Sequence, residues 1–159
     1  MKIERKYLAH FINGAALGSD QPVYERLGKD LEEYSPEMAA QVDTKKNILG
    51  ETSVLISSYE KTAAVEPFYA EEGSALFARL QDIIDNARVL DELKTSVVEV
   101  KLWENAGGSA YPAIEEEVYL EVTSYGGDTT GYQIPFTLHY TGQKEKGTFN
   151  VSTKTFTAE

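Results

Sequence analysis

Residues 113–156 read AIEEEVYLEVTSYGGDTTGYQIPFTLHYTGQKEKGTFNVSTKTF. Apolar and polar residues alternate along this stretch, which is the period of a sheet with one dry face. Val118, Leu120 and Val122 face one way; Tyr119, Glu121 and Thr123 face the other. Ile134, Phe136, Leu138 and Tyr140 alternate in the same way with Gln133, Pro135, Thr137 and His139. Gly126-Gly127-Asp128 and Gly131 mark a turn between the two runs. Thr141–Gly147 reads as a charged turn, and Phe149 and Val151 as the start of a closing strand. Pro135 has no ladder donor, so it argues for an edge, or for a side that meets no neighbour in the isolated subunit. The polar positions carry Glu, Thr, Gln and Lys with no recognisable catalytic set.

Upstream, the spacing of Leu76, Phe77, Leu80, Ile83, Ile84 and Ala87 predicts one amphipathic helix over 75–87. Arg79, Gln81, Asp82, Asp85 and Asn86 take its other side. Ser74 is its expected N-cap. Glu71 and Glu72 lie by the positive end of the dipole and Arg88 by the negative end. A strand follows, with Val98, Val100 and Leu102 on one face and Glu99 and Lys101 on the other. A Gly-rich connection, NAGGSAY, spans 105–111.

The first half is less regular. Residues 1–20 form an N-terminal arm in which Tyr7, Leu8, Phe11 and Ile12 suit a short strand or an amphipathic turn. Val23–Leu31 reads as a strand interrupted at Gly28. Residues 32–47, EEYSPEMAAQVDTKKN, have weak periodicity and mixed charge, and read as a long loop or an extended hairpin. Ile48–Leu49 and then Val54–Tyr59 resume a strand pattern, which ends at Glu66-Pro67. The organisation expected is a single domain over 1–159, mainly β, of β-sandwich or barrel-like form, with one flanking helix and a long loop or hairpin.

Composition narrows the function. The 159 residues contain no Cys, which excludes disulfides, thiolate catalysis and Cys-ligated metal. Fifteen Lys and Arg against 26 Asp and Glu give a formal charge of −11, a surface that repels phosphate backbones and anionic lipid. No run of about 18 apolar residues spans a membrane. The N-terminus starts basic, but His10 and Asn13 break its apolar stretch, so it reads as mature structure and not as a signal peptide.

Candidate chemistry is thin. His10 and His139 are the only histidines, and no G-x-S-x-G elbow is present. Glu32-Glu33, Glu71-Glu72 and Glu115-Glu116-Glu117 are adjacent carboxylates; on a strand neighbours point to opposite faces, so they form no facing pair and read as solvated. Gly126-Gly127-Asp128 lacks both the G-K-[ST] of a phosphate loop and the ligand spacing of a calcium loop, leaving a positive-φ turn. The aromatic residues, including Trp103, suit a core or an interface; a sugar-binding platform is the alternative. The expectation is therefore no catalytic residue, no metal and no cofactor, and the rival classes are a β-sandwich binding module for carbohydrate or protein and, more distantly, an enzyme.

Taken in order, the landmarks resemble phage tail tube (major tail) proteins. They are YERLGKDLEE (24–33), a long loop ending in NILGE (47–51), Tyr59, EPFYA (66–70), one amphipathic helix, TSVVEVKLW (95–103), an acidic strand, SYGGDTTGYQIPF (124–136) and GTFNVSTKTF (147–156). The resemblance implies a tube subunit related in fold to those of type VI secretion and contractile injection systems. Such subunits form hexameric rings that stack into a hollow tube through which viral DNA leaves the capsid. The partners implied are copies of the chain itself, other tail proteins (tape measure, tail terminator, baseplate or tip) and passing viral DNA bound without specificity, with no membrane. The place implied is the virion tail, and the host cytoplasm during assembly. On that analogy the segment 32–50 reaches a neighbouring subunit or the next ring, with Tyr34, Met38, Asp43, Lys45, Lys46, Ile48 and Leu49 as its contact residues. Strand polarity nominates Glu99, Glu115, Glu117 and Glu121 for an acidic lumen, which would repel the duplex and avoid holding it.

Overall fold

The computed structural model describes residues 1–104 and 108–159. Strand accounts for 49% of the chain and helix for 12%, the mainly-β class that the alternation predicts. In chain order the strands are β1 (Leu8–Asn13), β2 (Tyr24–Leu27), β3 (Ala40–Lys46), β4 (Thr52–Tyr59) and β5 (Thr62–Val65). The helix α1 (Ala75–Asn86) follows, then β6 (Lys94–Lys101), β7 (Ala110–Val122), β8 (Gly126–Asp128), β9 (Gly131–Gln133), β10 (Phe136–Asn150) and β11 (Thr155–Ala158). Of the Gly-rich connection expected at 105–111, residues 105–107 lie outside the described residues, and Ala110 and Tyr111 open β7.

The main sheet is antiparallel in the order β11-β10-β7-β6-β1-β2, and β5 pairs with the first part of β10. It curls into a half-barrel. The rings of Phe11 on β1 and Phe149 on β10 lie 4.5 Å apart. Three strand spacings separate those strands, which in a flat sheet amounts to about 14 Å. Tyr24 on β2, one strand further out, also reaches Phe149, edge-on at 5.5 Å. The curl therefore closes a small core from one face of the sheet: Ala9, Phe11, Tyr24, Val98, Val100, Ala113 and Phe149. The other face carries the larger core, where Leu76, Leu80 and Ile83 of α1 pack over Ile12, Val97, Val118, Leu120, Phe136 and Leu138. Neighbours such as Phe11 and Ile12, or Val97 and Val98, thus serve opposite cores, as the strand period requires.

The helix matches its prediction. Ser74 Oγ accepts the Phe77 N–H at 3.2 Å, and Ala87, in the left-handed region at φ 47°, ends it. Gly14 lets it approach: a Cβ there would lie 2.7 Å from the Leu76 nitrogen. Arg79, expected on the solvent side, is buried. Its guanidinium donates to the carbonyls of Ala15 (2.9 Å), Glu92 (3.1 Å) and Lys94 (2.9 Å), so it ties α1 to the segments on either side instead of facing water.

Several boundaries differ from the sequence reading. The strand expected over 23–31 stops at Leu27. Thr141–Gly147 is no turn; it continues β10, whose register against β7 shifts between Tyr140 and Lys144. The extra residues form a bulge that bends the strand, with Gly142 at φ 92°. The turn falls later, between Asn150 and Thr155, and β11 closes the sheet. Pro135 marks no edge. It lies in the link from β9 to β10, and β10 itself is flanked by β7 on one side and by β5 and β11 on the other. There the missing N–H costs no ladder bond, while the Pro135 carbonyl accepts from Thr123 N (3.2 Å) and Oγ1 (3.0 Å).

Candidate functional site

The segment that follows β2 becomes a projecting hairpin. Its loop ends at Ala39, β3 and β4 are its arms, and Asn47–Gly50 is its tip. Ile48–Leu49, expected to resume a strand, are the tip itself. The Asn47 carboxamide oxygen accepts the N–H groups of Leu49 (2.9 Å) and Glu51 (3.0 Å), and Gly50 takes φ 83°, which builds a tight reversal. Every residue of both arms is exposed. The register sets Val42 opposite Ile56 and Thr44 opposite Val54, so one face of the ribbon is β-branched and apolar. The other face pairs Asp43 with Leu55 and Lys45 with Ser53. Ile48 at the tip is 102% exposed and Leu49 78%. Among the described residues nothing covers this apolar ribbon.

Of the residues nominated for that surface, Met38, Asp43, Lys45, Lys46, Ile48 and Leu49 are on or beside the hairpin and exposed. Tyr34 is not. It is buried at the root, where its ring lies 4.6 Å from that of His10 and its hydroxyl meets the Tyr140 hydroxyl at 2.9 Å. Beside it, Lys61 Nζ donates to both carboxylate oxygens of Glu116, at 3.0 and 3.2 Å, and sits 4.5 Å above the Tyr140 ring. His10 Nε2 lies 3.1 Å from Glu99 Oε1. Burial pushes the Tyr34 phenol up to about 12 and raises Tyr140 further, the Tyr34 neighbour adding to it, so both stay neutral and one donates to the other. The hydrogen bond from His10 holds the Glu99 carboxyl below its ordinary range.

Glu116 corrects the expectation that the Glu115–Glu117 run is solvated. It is 4% exposed, because β7 crosses beneath the hairpin root and its even positions face the helix-side core. Glu115, Glu117 and Glu121 point the other way and share a face. Tyr24 donates its hydroxyl to Glu115 at 3.0 Å, Lys94 reaches Glu117 at 3.3 Å, and His139 lies 3.4 Å from Glu121. Glu145, paired with Glu115, joins them on that face; the turn reading of 141–147 hid it. Glu99, paired with Ile114 and bonded to His10, is on the opposite face from the other three nominated glutamates.

Among the described residues these groups form hydrogen-bonded and ionic pairs. The cleft of about 420 Å³ beside α1 is lined by Arg79, Lys94 and Lys144 together with Glu115, Glu117 and Glu145; Lys94 pairs with Glu117, and Arg79 is taken up by backbone carbonyls. Among the described residues no group of three or more His, Asp or Glu is placed to hold a metal, and no helix is long and apolar enough to cross a membrane.

No protein-family model and no curated protein sequence matches the chain. Among solved structures it is similar to a chain of the sheath–tube complex of an extracellular contractile injection system, PVC, determined by cryo-EM in the extended state. The match covers 91% of this chain and 90% of that one, with a TM-score of 0.53 and 10% sequence identity. That likeness is one of fold. It runs over nearly the whole chain, and at this identity no side chain carries across.

Proposed function

We propose that this protein is a structural tube subunit and not an enzyme, and that it works by self-association. The observation that carries this is the β3–β4 hairpin: two full strands with no buried residue and an uncovered β-branched face. Such a ribbon is an aggregation liability in a protein that stays alone, and an adhesive element in one that assembles. The fold shared with a chain of a sheath–tube complex supports the same reading. So do the two ends of the sheet, β2 and β11, which offer edges for closure between copies.

The finer reading follows the sequence resemblance. The subunits form hexameric rings that stack into a phage tail tube, a conduit for DNA ejection, alongside other tail proteins. Met38, Asp43, Lys45, Lys46, Ile48 and Leu49 engage the neighbouring copy. The face bearing Glu115, Glu117, Glu121 and Glu145 lines the lumen; Glu99, on the opposite face and held by His10, takes no part in it.

Negative-stain electron microscopy and sedimentation of the purified protein over a concentration series test this. Rings or tubes of uniform bore are expected. A monomer that persists at high concentration, together with absence of the protein from any tailed particle of its source, would overturn it.

A further inference from the structure

Tyr34 precedes the hairpin and Lys61 follows it, and the two side chains converge on one residue of the body, Tyr140. Beyond this point Arg5 donates to the Tyr34 carbonyl at 2.9 Å, and the other ties at the root are backbone bonds. Glu37 exchanges N–H···O bonds of 2.7 and 3.0 Å with Thr62, the first residue of β5, and Tyr140 N donates to Lys61 O at 3.0 Å; Glu60 N, which donates to Ala39 O at 3.1 Å, joins the two legs to each other. From Ala40 to Tyr59 no residue is buried against the body. A two-stranded ribbon hinged on a few backbone bonds pivots. Side chains that clamp both legs stop it.

We propose that the buried knot of Tyr34, Lys61, Glu116 and Tyr140 aims the hairpin, fixing the direction in which it leaves the body and hence the geometry with which it meets a second copy of this chain. The choice of polar groups supports this. A buried ion pair returns little net stability, since desolvating both charges offsets their attraction, and an apolar pair of similar volume serves stability as well or better. What the ion pair adds is direction. The Lys61 ammonium is located at once by two carboxylate oxygens and a ring face, and the Tyr34 and Tyr140 hydroxyls lock the incoming leg to the same ring. His10 behind Tyr34, itself held by Glu99, closes the back of the knot. These are positioning residues: Tyr34 and Glu116 are buried and Lys61 and Tyr140 half-buried within the chain, none is on the hairpin's apolar face, and they act through the ribbon they hold.

The consequence for assembly rests on the proposed role of the hairpin, but the aiming is a property of the monomer and is measured there. The chain has no Cys, so spin labels placed through Ile48→Cys at the tip and Leu90→Cys on the body report one distance without background. In dilute monomer with native Lys61 and Glu116, the tip-to-body distance distribution is narrow. In the double variant Lys61→Met/Glu116→Leu, which leaves no charge unpaired, the thermal midpoint is kept or raised while the distribution widens roughly twofold as the ribbon samples more directions. Tyr34→Phe widens it less. In unlabelled protein the double variant raises the critical concentration for assembly roughly tenfold, because a scattered hairpin is competent only a fraction of the time. An unchanged distribution in both variants overturns the aiming role even if the native protein assembles. A native protein with a narrow distribution that never assembles overturns the tube reading and leaves the aiming role standing.

Discussion

The carboxylate of Glu25 on β2 accepts the backbone N–H of Ala75 at 2.7 Å, across fifty residues of chain. The same oxygen lies 3.3 Å from the Leu76 nitrogen, and the Ser74 hydroxyl donates to the carboxylate at 2.9 Å. A strand thus supplies the negative charge and acceptors that the first turn of α1 needs. Ser74 caps one N–H from within the helix; Glu25 takes those that Ser74 does not reach. Glu25→Ala is expected to lower unfolding free energy by about 1–2 kcal/mol, as loss of a helix cap does. Glu25→Gln, which keeps a carbonyl oxygen, costs about 0.3–1 kcal/mol through the lost charge. Urea denaturation of the two variants measures both, and equal losses would show that the charge, and not the acceptor geometry, holds the helix end.

Phe149 is where the curl of the sheet is sealed. It is fully buried and touches both Phe11 and Tyr24 from the far side of the half-barrel. It is the one residue of β10 in the buried set of that core, and Leu102, Tyr111, Val151 and Phe156 pack around it only partly buried. Phe149→Ala is expected to cost about 3–5 kcal/mol, the range for an aromatic truncated in a core that relaxes only in part. Denaturant unfolding checks this. A loss below about 1 kcal/mol would mean that the small core contributes little and the sheet holds its curl without it.

What the sequence disclosed and what it hid follow one physical rule. Hydrophobic alternation reports burial, so elements that bury apolar side chains were legible: α1 to within a residue, β6, and the Ile134–Leu138 run. The arms of the hairpin bury neither face. Ala40–Lys46 therefore carries no period to read, and its sequence suits a long loop as well as the extended hairpin it forms. The middle of β10 is exposed on both sides and holds a Gly in a bulge, so it looked like a turn. Glu116 was illegible for a different reason: its partner Lys61 is 55 residues away, and nothing local separates a buried glutamate from its two solvent-side neighbours. The Tyr34–Tyr140 contact, at a separation of 106 residues, is of the same kind.

Glu99 gives the fold an acid dependence. Its carboxyl is held below the usual range, first by the hydrogen bond from His10. The unfolded chain therefore binds a proton at this site before the native protein does. The contribution of Glu99 is complete above its ordinary value of about 4.3 and is lost as the pH falls through the lowered native value. Unfolding free energy of the native sequence is expected to decline through that window more steeply than that of Glu99→Gln, with the two curves running parallel near neutrality. Matched urea titrations at a series of pH values decide it. Parallel curves throughout the acid range would show that the His10–Glu99 contact has no energetic coupling to folding.

Ile48 and Leu49 separate folding from association. Their side chains extend from the hairpin tip into solvent, and the turn beneath them is built by Asn47 and Gly50, which no change at 48 or 49 disturbs. The double substitution Ile48→Asp/Leu49→Asp removes no intrachain packing, so unfolding free energy of the monomer is expected to move by no more than about 0.5 kcal/mol. An interface that buries both side chains loses far more. At about 1.5–3 kcal/mol each, their burial is worth about 3–6 kcal/mol per contact. That corresponds to a weakening of about a hundredfold to ten-thousandfold in affinity. Sedimentation velocity against concentration reads the association, and urea unfolding reads the fold, on the same preparation. Unimpaired assembly of the double variant would remove the tip from the interface. A large drop in monomer stability would instead show that the tip packs within its own chain.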